Sequence, residues 1–139
     1  MKSKLFISFL FLLFFGACTS GDKTAASENP DDAARNFIRS VLDADFDAAR
    51  NFIIADSTND AYLQITQRNF VERMNRADKM GYKGASIQIH EIKNLDDSTS
   101  VVLYSNSYKK QRDSLKVVRV SGAWLVDLKY SFPANALIQ

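Results

Sequence analysis

The chain has 139 residues with 18 basic and 16 acidic side chains, one histidine and one cysteine, which is length enough for a single domain. The basic surplus sits in Lys2 and Lys4, so residues 18–139 carry 16 charges of each sign. A balanced chain without grouped Lys and Arg argues against nucleic-acid binding, and a lone cysteine excludes a disulfide within the chain.

Lys2 and Lys4 precede Leu5 to Phe15, an eleven-residue run without a charge in which only Ser8 is polar, and Gly16-Ala17-Cys18 closes the segment. A basic start, a short apolar middle and small residues at the end read as a secretory signal. The run is well short of the ~20 residues that span a bilayer. Gly16-Ala17-Cys18 resembles the lipobox of bacterial lipoproteins. That resemblance implies a diacylglyceryl thioether on Cys18, cleavage that makes Cys18 the new N-terminus, and fatty-acyl chains of the palmitate kind holding the membrane. Thr19, where an Asp would retain such a protein in the inner membrane, implies the outer membrane. Asp22 is the only acid near the cysteine, which implies the periplasmic face. The chain thus divides into a signal at 1–17, a lipidated Cys18 with a tether to residue 29, and a domain over 30–139. Residues 19–29 are small and polar; as a coil they span on the order of 18 Å.

Asn29-Pro30 starts the first helix: Asn caps, Pro suits the first position, and Asp31 and Asp32 complement the dipole. Ala33, Ala34, Phe37, Ile38, Val41 and Leu42 form its buried stripe. After a break at Asp43-Ala44, Asp45 caps a second helix whose apolar face is Phe46, Ala49, Phe52 and Ile53. Ser57 to Asp60 is a loop and cap cluster. A longer third helix follows, marked by Leu63, Phe70, Met74 and Met80 and ending near Gly81 or Gly84.

Beyond Gly84 the period changes to two. Ala85, Ile87 and Ile89 alternate with Ser86, Gln88 and His90, giving a strand with one buried face. Asn94 to Ser98 is a turn, Ser100 to Tyr108 a second strand, Lys109 to Asp113 an exposed tip, and Leu115 to Val120 a third strand. Ser121-Gly122 is a tight turn. The last strand points Trp124, Val126, Leu128 and Tyr130 inward and Leu125, Asp127 and Lys129 outward, and Pro133 ends it. Helices first and an antiparallel meander afterwards make an α+β domain with helices on one face of the sheet.

The link Ala44-Asp45-Phe46-Asp47 between two helices, followed by four strands ending in Gly122-Ala123-Trp124-Leu125-Val126, resembles the NTF2-like (cystatin-like α+β) superfamily over residues 30–132. Within it, the chain resembles the small bacterial lipoproteins with a domain of unknown function of the DUF4878 type. The resemblance implies N-terminal helices packed on a curved four-stranded antiparallel sheet, a cone that holds a ligand, an active site or only side chains. Members often dimerise through the sheet, so a homodimer is an expected assembly.

Enzymatic members use an Asp, His or Tyr in the cone. His90 is the only histidine, and Glu91 follows it. Strand neighbours point to opposite faces, which puts His90 on the polar side and Glu91 on the Ile87/Ile89 side. Most such residues are a solvated His and a rim Glu. One His with no available Cys falls short of a metal site, no cofactor motif occurs, and neither Asp31-Asp32 nor Asp96-Asp97 has calcium-loop spacing. Serine-nucleophile and phosphate-loop motifs are absent. Tyr104 and Tyr108, on one strand face with Val102 and Asn106, are the aromatic candidates for a ligand pocket. Arg68, Arg73, Arg76, Lys79 and Lys83 read as a solvated face, with anionic lipid head groups as the alternative.

The favoured reading is a membrane-tethered, non-enzymatic binding or accessory module whose ligand is a small molecule or an envelope protein. The alternatives are a small isomerase, dehydratase or hydrolase, with His90, Glu91 or Asp127 converging on a Tyr, and a purely structural assembly lipoprotein.

Overall fold

The computed structural model describes residues 26–131. Cys18, the signal segment, most of the tether and Pro133 lie outside these residues.

Four helices precede four strands. α1 (Pro30–Leu42) begins where the Asn29 side chain accepts the Asp32 N–H at 2.9 Å. Ala33, Ala34, Phe37, Ile38 and Leu42 are buried along its inner face. Ala44, at φ 61°, turns the chain into α2 (Phe46–Arg50), capped by Asp45. α2 is shorter than its apolar pattern predicts. Phe52 is buried in the turn that ends the helix, and Ile53 in a parallel bridge beside the last strand. There Val126 N donates to Phe52 O at 2.8 Å and Ile54 N to Val126 O at 3.0 Å.

The predicted long third helix is two helices, α3 (Ser57–Arg73) and α4 (Arg76–Lys83). Met74 is extended (φ −89°, ψ 130°), and Asn75 caps α4 by accepting the Asp78 N–H at 2.9 Å. The cap supplies an alternative to continuing the helix. Met80, read as core, is 66% exposed as a result.

The sheet is an antiparallel meander of β1 (Ile87–Asp96), β2 (Thr99–Asn106), β3 (Asp113–Val120) and β4 (Ala123–Asp127), in that spatial order. Helices cover one face, where α1 touches all four strands. Val102, Leu115, Val117, Trp124 and Val126 are buried on that inner face. Ser121 and Gly122 both have positive φ, 50° and 87°, as the primed turns that match strand twist require. β4 stops earlier than its alternation suggests. The Asp127 side chain accepts the Lys129 N–H at 3.3 Å and opens a 3₁₀ turn, Leu128–Tyr130. Asp127 is therefore 8% exposed and Tyr130 52%, the reverse of the predicted faces.

The outer edge of β4 is covered as well by the chain entering α1, since Trp124 N donates to Ser27 O at 3.0 Å. Ser27, assigned to the tether from sequence, is buried. β1, at the other edge, carries two irregularities: Ile89 pairs with Tyr104 but Glu91 with Leu103, and a second shift falls between Asn94 and Asp96.

Candidate functional site

The architecture leaves a cavity of about 320 Å³ between α1, α3, α4 and the β2–β3 end of the sheet. This lies at the small end of the range for small-molecule pockets, roughly 300–1,000 Å³. Phe37, Val41, Phe70 and Met74 give it an apolar wall, and Tyr82 closes the α4 side. The stripe that builds the α1 face also supplies this wall, because Phe37 and Val41 lie one turn apart on one side of the helix.

Its polar groups are gathered from three elements: Thr66 and Asn69 of α3, Tyr104 and Asn106 of β2, and Asp113 of β3. Tyr104 and Asp113 are cross-strand partners, and the Tyr104 hydroxyl lies 3.4 Å from Asp113 Oδ2. Burial pushes the Tyr104 hydroxyl far above its ordinary pKa, and the Asp113 carboxylate adds to the shift. At neutral pH it is a hydrogen-bond donor. Thr66 is spent on Tyr62 O at 3.0 Å, and the Asn106 side-chain oxygen accepts from Tyr108 N and Lys109 N at 3.1 and 2.9 Å. The Asn69 amide, half-buried, makes no hydrogen bond within residues 26–131.

Tyr108 is separated from Tyr104. β2 ends at Asn106, so Tyr108 sits in the following turn and lines the back of α4 rather than the cavity. Its hydroxyl donates to Asp78 Oδ1 at 2.7 Å, and its ring meets Tyr82 edge-on at 5.3 Å. The ring lies so close to Gly81 that a methyl there would overlap it. Lys109 Nζ stands 3.5 Å from Asp78 and 5.2 and 5.9 Å from the Tyr108 and Tyr82 ring centres. The Tyr108 hydroxyl, with Lys109 behind it, holds the Asp78 carboxyl below the usual carboxylate range.

His90 and Glu91 lie on the other side of the sheet. His90 Nε2 shares a 2.8 Å hydrogen bond with Ser105 Oγ. The register shift places Glu91 opposite Leu103, the outward neighbour of inward-facing Val102. Glu91 therefore faces outward, not along the Ile87/Ile89 side that strict alternation predicts, because the bulge inserts one residue. Asp127 is held by Lys129 at 3.6 Å and Lys116 at 3.9 Å. None of these three groups enters the cavity with Tyr104. Among the described residues no group of three or more His, Cys, Asp or Glu side chains is placed to hold a metal ion. No helix among them is long and apolar enough to cross a membrane.

Of the basic set, Arg68 and Arg73 are exposed on α3, and Arg76 and Lys83 on α4. Lys79 instead donates to Val71 O at 3.1 Å and stands 5.7 Å from the Phe70 ring centre.

Sequence reasoning found Tyr104 but missed Asp113, Asn69, Thr66 and Tyr82. Asp113 reads from the sequence as the end of an exposed tip and is exposed; only the β2–β3 register brings it opposite Tyr104.

A crystal structure of an NTF-2 like protein of unknown function from Shewanella oneidensis MR-1 is similar to this chain. It has 16% sequence identity and a TM-score of 0.46, over 68% of this chain and 88% of that one. No family model and no curated protein matches the chain. The α+β order of helices followed by a four-stranded meander stands on the chain's own register.

Proposed function

We propose that the protein is a lipid-anchored module of the bacterial cell envelope that binds a small molecule in the cavity between α1, α3, α4 and the sheet. The observation that carries the binding half is the cavity itself, where an apolar wall meets the Tyr104 hydroxyl, Asp113 and the Asn69 amide, which has no hydrogen-bond partner among residues 26–131. Such a combination, mostly apolar with a few convergent polar groups, is what small-molecule sites share.

The anchoring half rests on the sequence before the described residues, Lys2 to Cys18. On that reading the protein is a lipoprotein of the DUF4878 type, Cys18 carries the acyl chains, and the domain faces the periplasm from the outer membrane. Each buried CH₂ of an acyl chain contributes about 0.8 kcal/mol, so more than one chain holds the protein firmly.

Intact-mass spectrometry of the protein extracted from its own membranes tests both halves. The expected result is a chain beginning at Cys18 with acyl mass on that residue, together with a released small molecule under native conditions. Cys18→Ser is expected to leave the leader uncut and the acyl mass absent. A wild-type chain that retains residues 1–17 and a free thiol would overturn the anchoring.

A further inference from the structure

The geometry points to a ligand class for this cavity: a small amphiphile with an aromatic or alkyl body and a cationic amine head, the ammonium sitting at Asp113. The inference rests on the cavity being a binding site, as proposed above.

The charge distribution selects the head group. Asp113 is the one acidic side chain among the lining residues, and no Lys, Arg or His lines the cavity. Asp113 forms no ion pair within residues 26–131. Its Oδ1 takes the Ser114 N–H at 2.7 Å, and its Oδ2 has only the long Tyr104 contact at 3.4 Å. Lys109, in the same β2–β3 connection, is committed to Asp78 and to two ring faces. A carboxylate with spare acceptor capacity at a half-open rim is complementary to an ammonium and repels an anion.

The wall fits the same class. Phe37, Phe70, Tyr82 and Tyr104 present aromatic surface to the cavity, and ring faces attract alkylammonium groups. Phe70 already receives the ammonium of Lys79 at 5.7 Å. Most of the lining is apolar, with Phe37, Ile38, Val41, Leu42, Phe70 and Met74 beside the few polar groups, so the bulk of the ligand is hydrocarbon rather than sugar or phosphate.

The test titrates the full-length mature lipoprotein in nanodiscs, calorimetrically, with 4-phenylbutylamine, 4-phenylbutanol and 4-phenylbutyrate. Empty nanodiscs correct for partitioning. The expected order is amine, then alcohol, then carboxylate, with about tenfold between the first and last. Asp113→Asn is expected to bring the three to within about threefold of one another, and Val41→Trp, which fills the cavity, to abolish binding of all three. If the carboxylate binds wild type as tightly as the amine, and Val41→Trp still abolishes it, the cavity stands and the amine preference falls. If none of the three binds above the nanodisc background, or Val41→Trp changes nothing, the cavity reading itself falls and the preference with it.

Discussion

Asn59 is fully buried and uses both the oxygen and the nitrogen of its side chain. Its oxygen accepts the Leu128 N–H at 2.7 Å, and its nitrogen donates to Asp56 Oδ2 at 2.9 Å. The side chain thereby ties the start of α3 to the end of the sheet. Asn59→Ala strands a buried main-chain donor, and the expected loss is roughly 1–3 kcal/mol in urea denaturation. Asp56 itself caps α3 and receives Lys129 Nζ at 2.7 Å. That hydrogen bond, with the Asn59 N–H second, holds the Asp56 carboxyl far below the ordinary range. A folded pKa below the unfolded value near 3.9 means the contribution is complete well above about pH 4 and fades as pH falls through the folded value. Asp60, lowered chiefly by Arg50, titrates with the same sign. Asp56→Asn keeps a capping oxygen but removes the charge. Its stability deficit against wild type is expected to be largest at neutral pH and to shrink below about pH 4, as read from denaturation midpoints across pH. A deficit that stayed constant from pH 7 to pH 2 would contradict this account.

α4 has no buried residue of its own and is held by its Asn75 cap and by the Tyr108–Asp78 bond. It forms one side of the cavity, so its fastening governs how readily that side opens. Tyr108→Phe removes one charge-assisted bond at the surface. Amide exchange over residues 76–83 is expected to quicken severalfold while exchange in α3 stays unchanged, and global stability to move by less than about 1 kcal/mol. Gly81→Ala, which displaces the same ring, is expected to give the same exchange pattern by a different route. Equal acceleration in α3 would mean the two helices open as one unit. The break between them is legible in the sequence. Asn75-Arg76-Ala77-Asp78 repeats the spacing of Asn29-Pro30-Asp31-Asp32, and in both the Asn side chain bonds the third residue on. The apolar marks at Phe70, Met74 and Met80 drew the helix through, although helical spacing cannot distinguish a continuous helix from a capped restart. The β1 bulge also left a trace, since Ile87 and Ile89 are two apart but Ile92 is three further on. Nothing local signals Tyr104 opposite Asp113, a pairing set by the length of the whole hairpin.

At the scale of the molecule, the helix-then-meander order and most of the core stripe were readable because each depends on residues within a turn or two. The cavity was not, because its walls come from three helices and two strands. The two sheet edges are also treated differently. β1 keeps an exposed edge, broken by bulges and carrying Glu91 and Lys93, features that discourage further strand pairing. β4 is closed by Phe52–Ile54 and by Ser27. A chain that starts at residue 28 keeps the Asn29 cap but leaves the Trp124 N–H without its partner, and is expected to unfold about 1 kcal/mol more easily than one that starts at residue 26. On the proposed anchoring through Cys18, mechanical load meets Ser27 before it meets the first helix. Pulling from the membrane side is resisted at a buried peptide group beside Trp124 before it reaches the Asn29 cap. On that proposal, the helix that walls the cavity is shielded from tension in the leash.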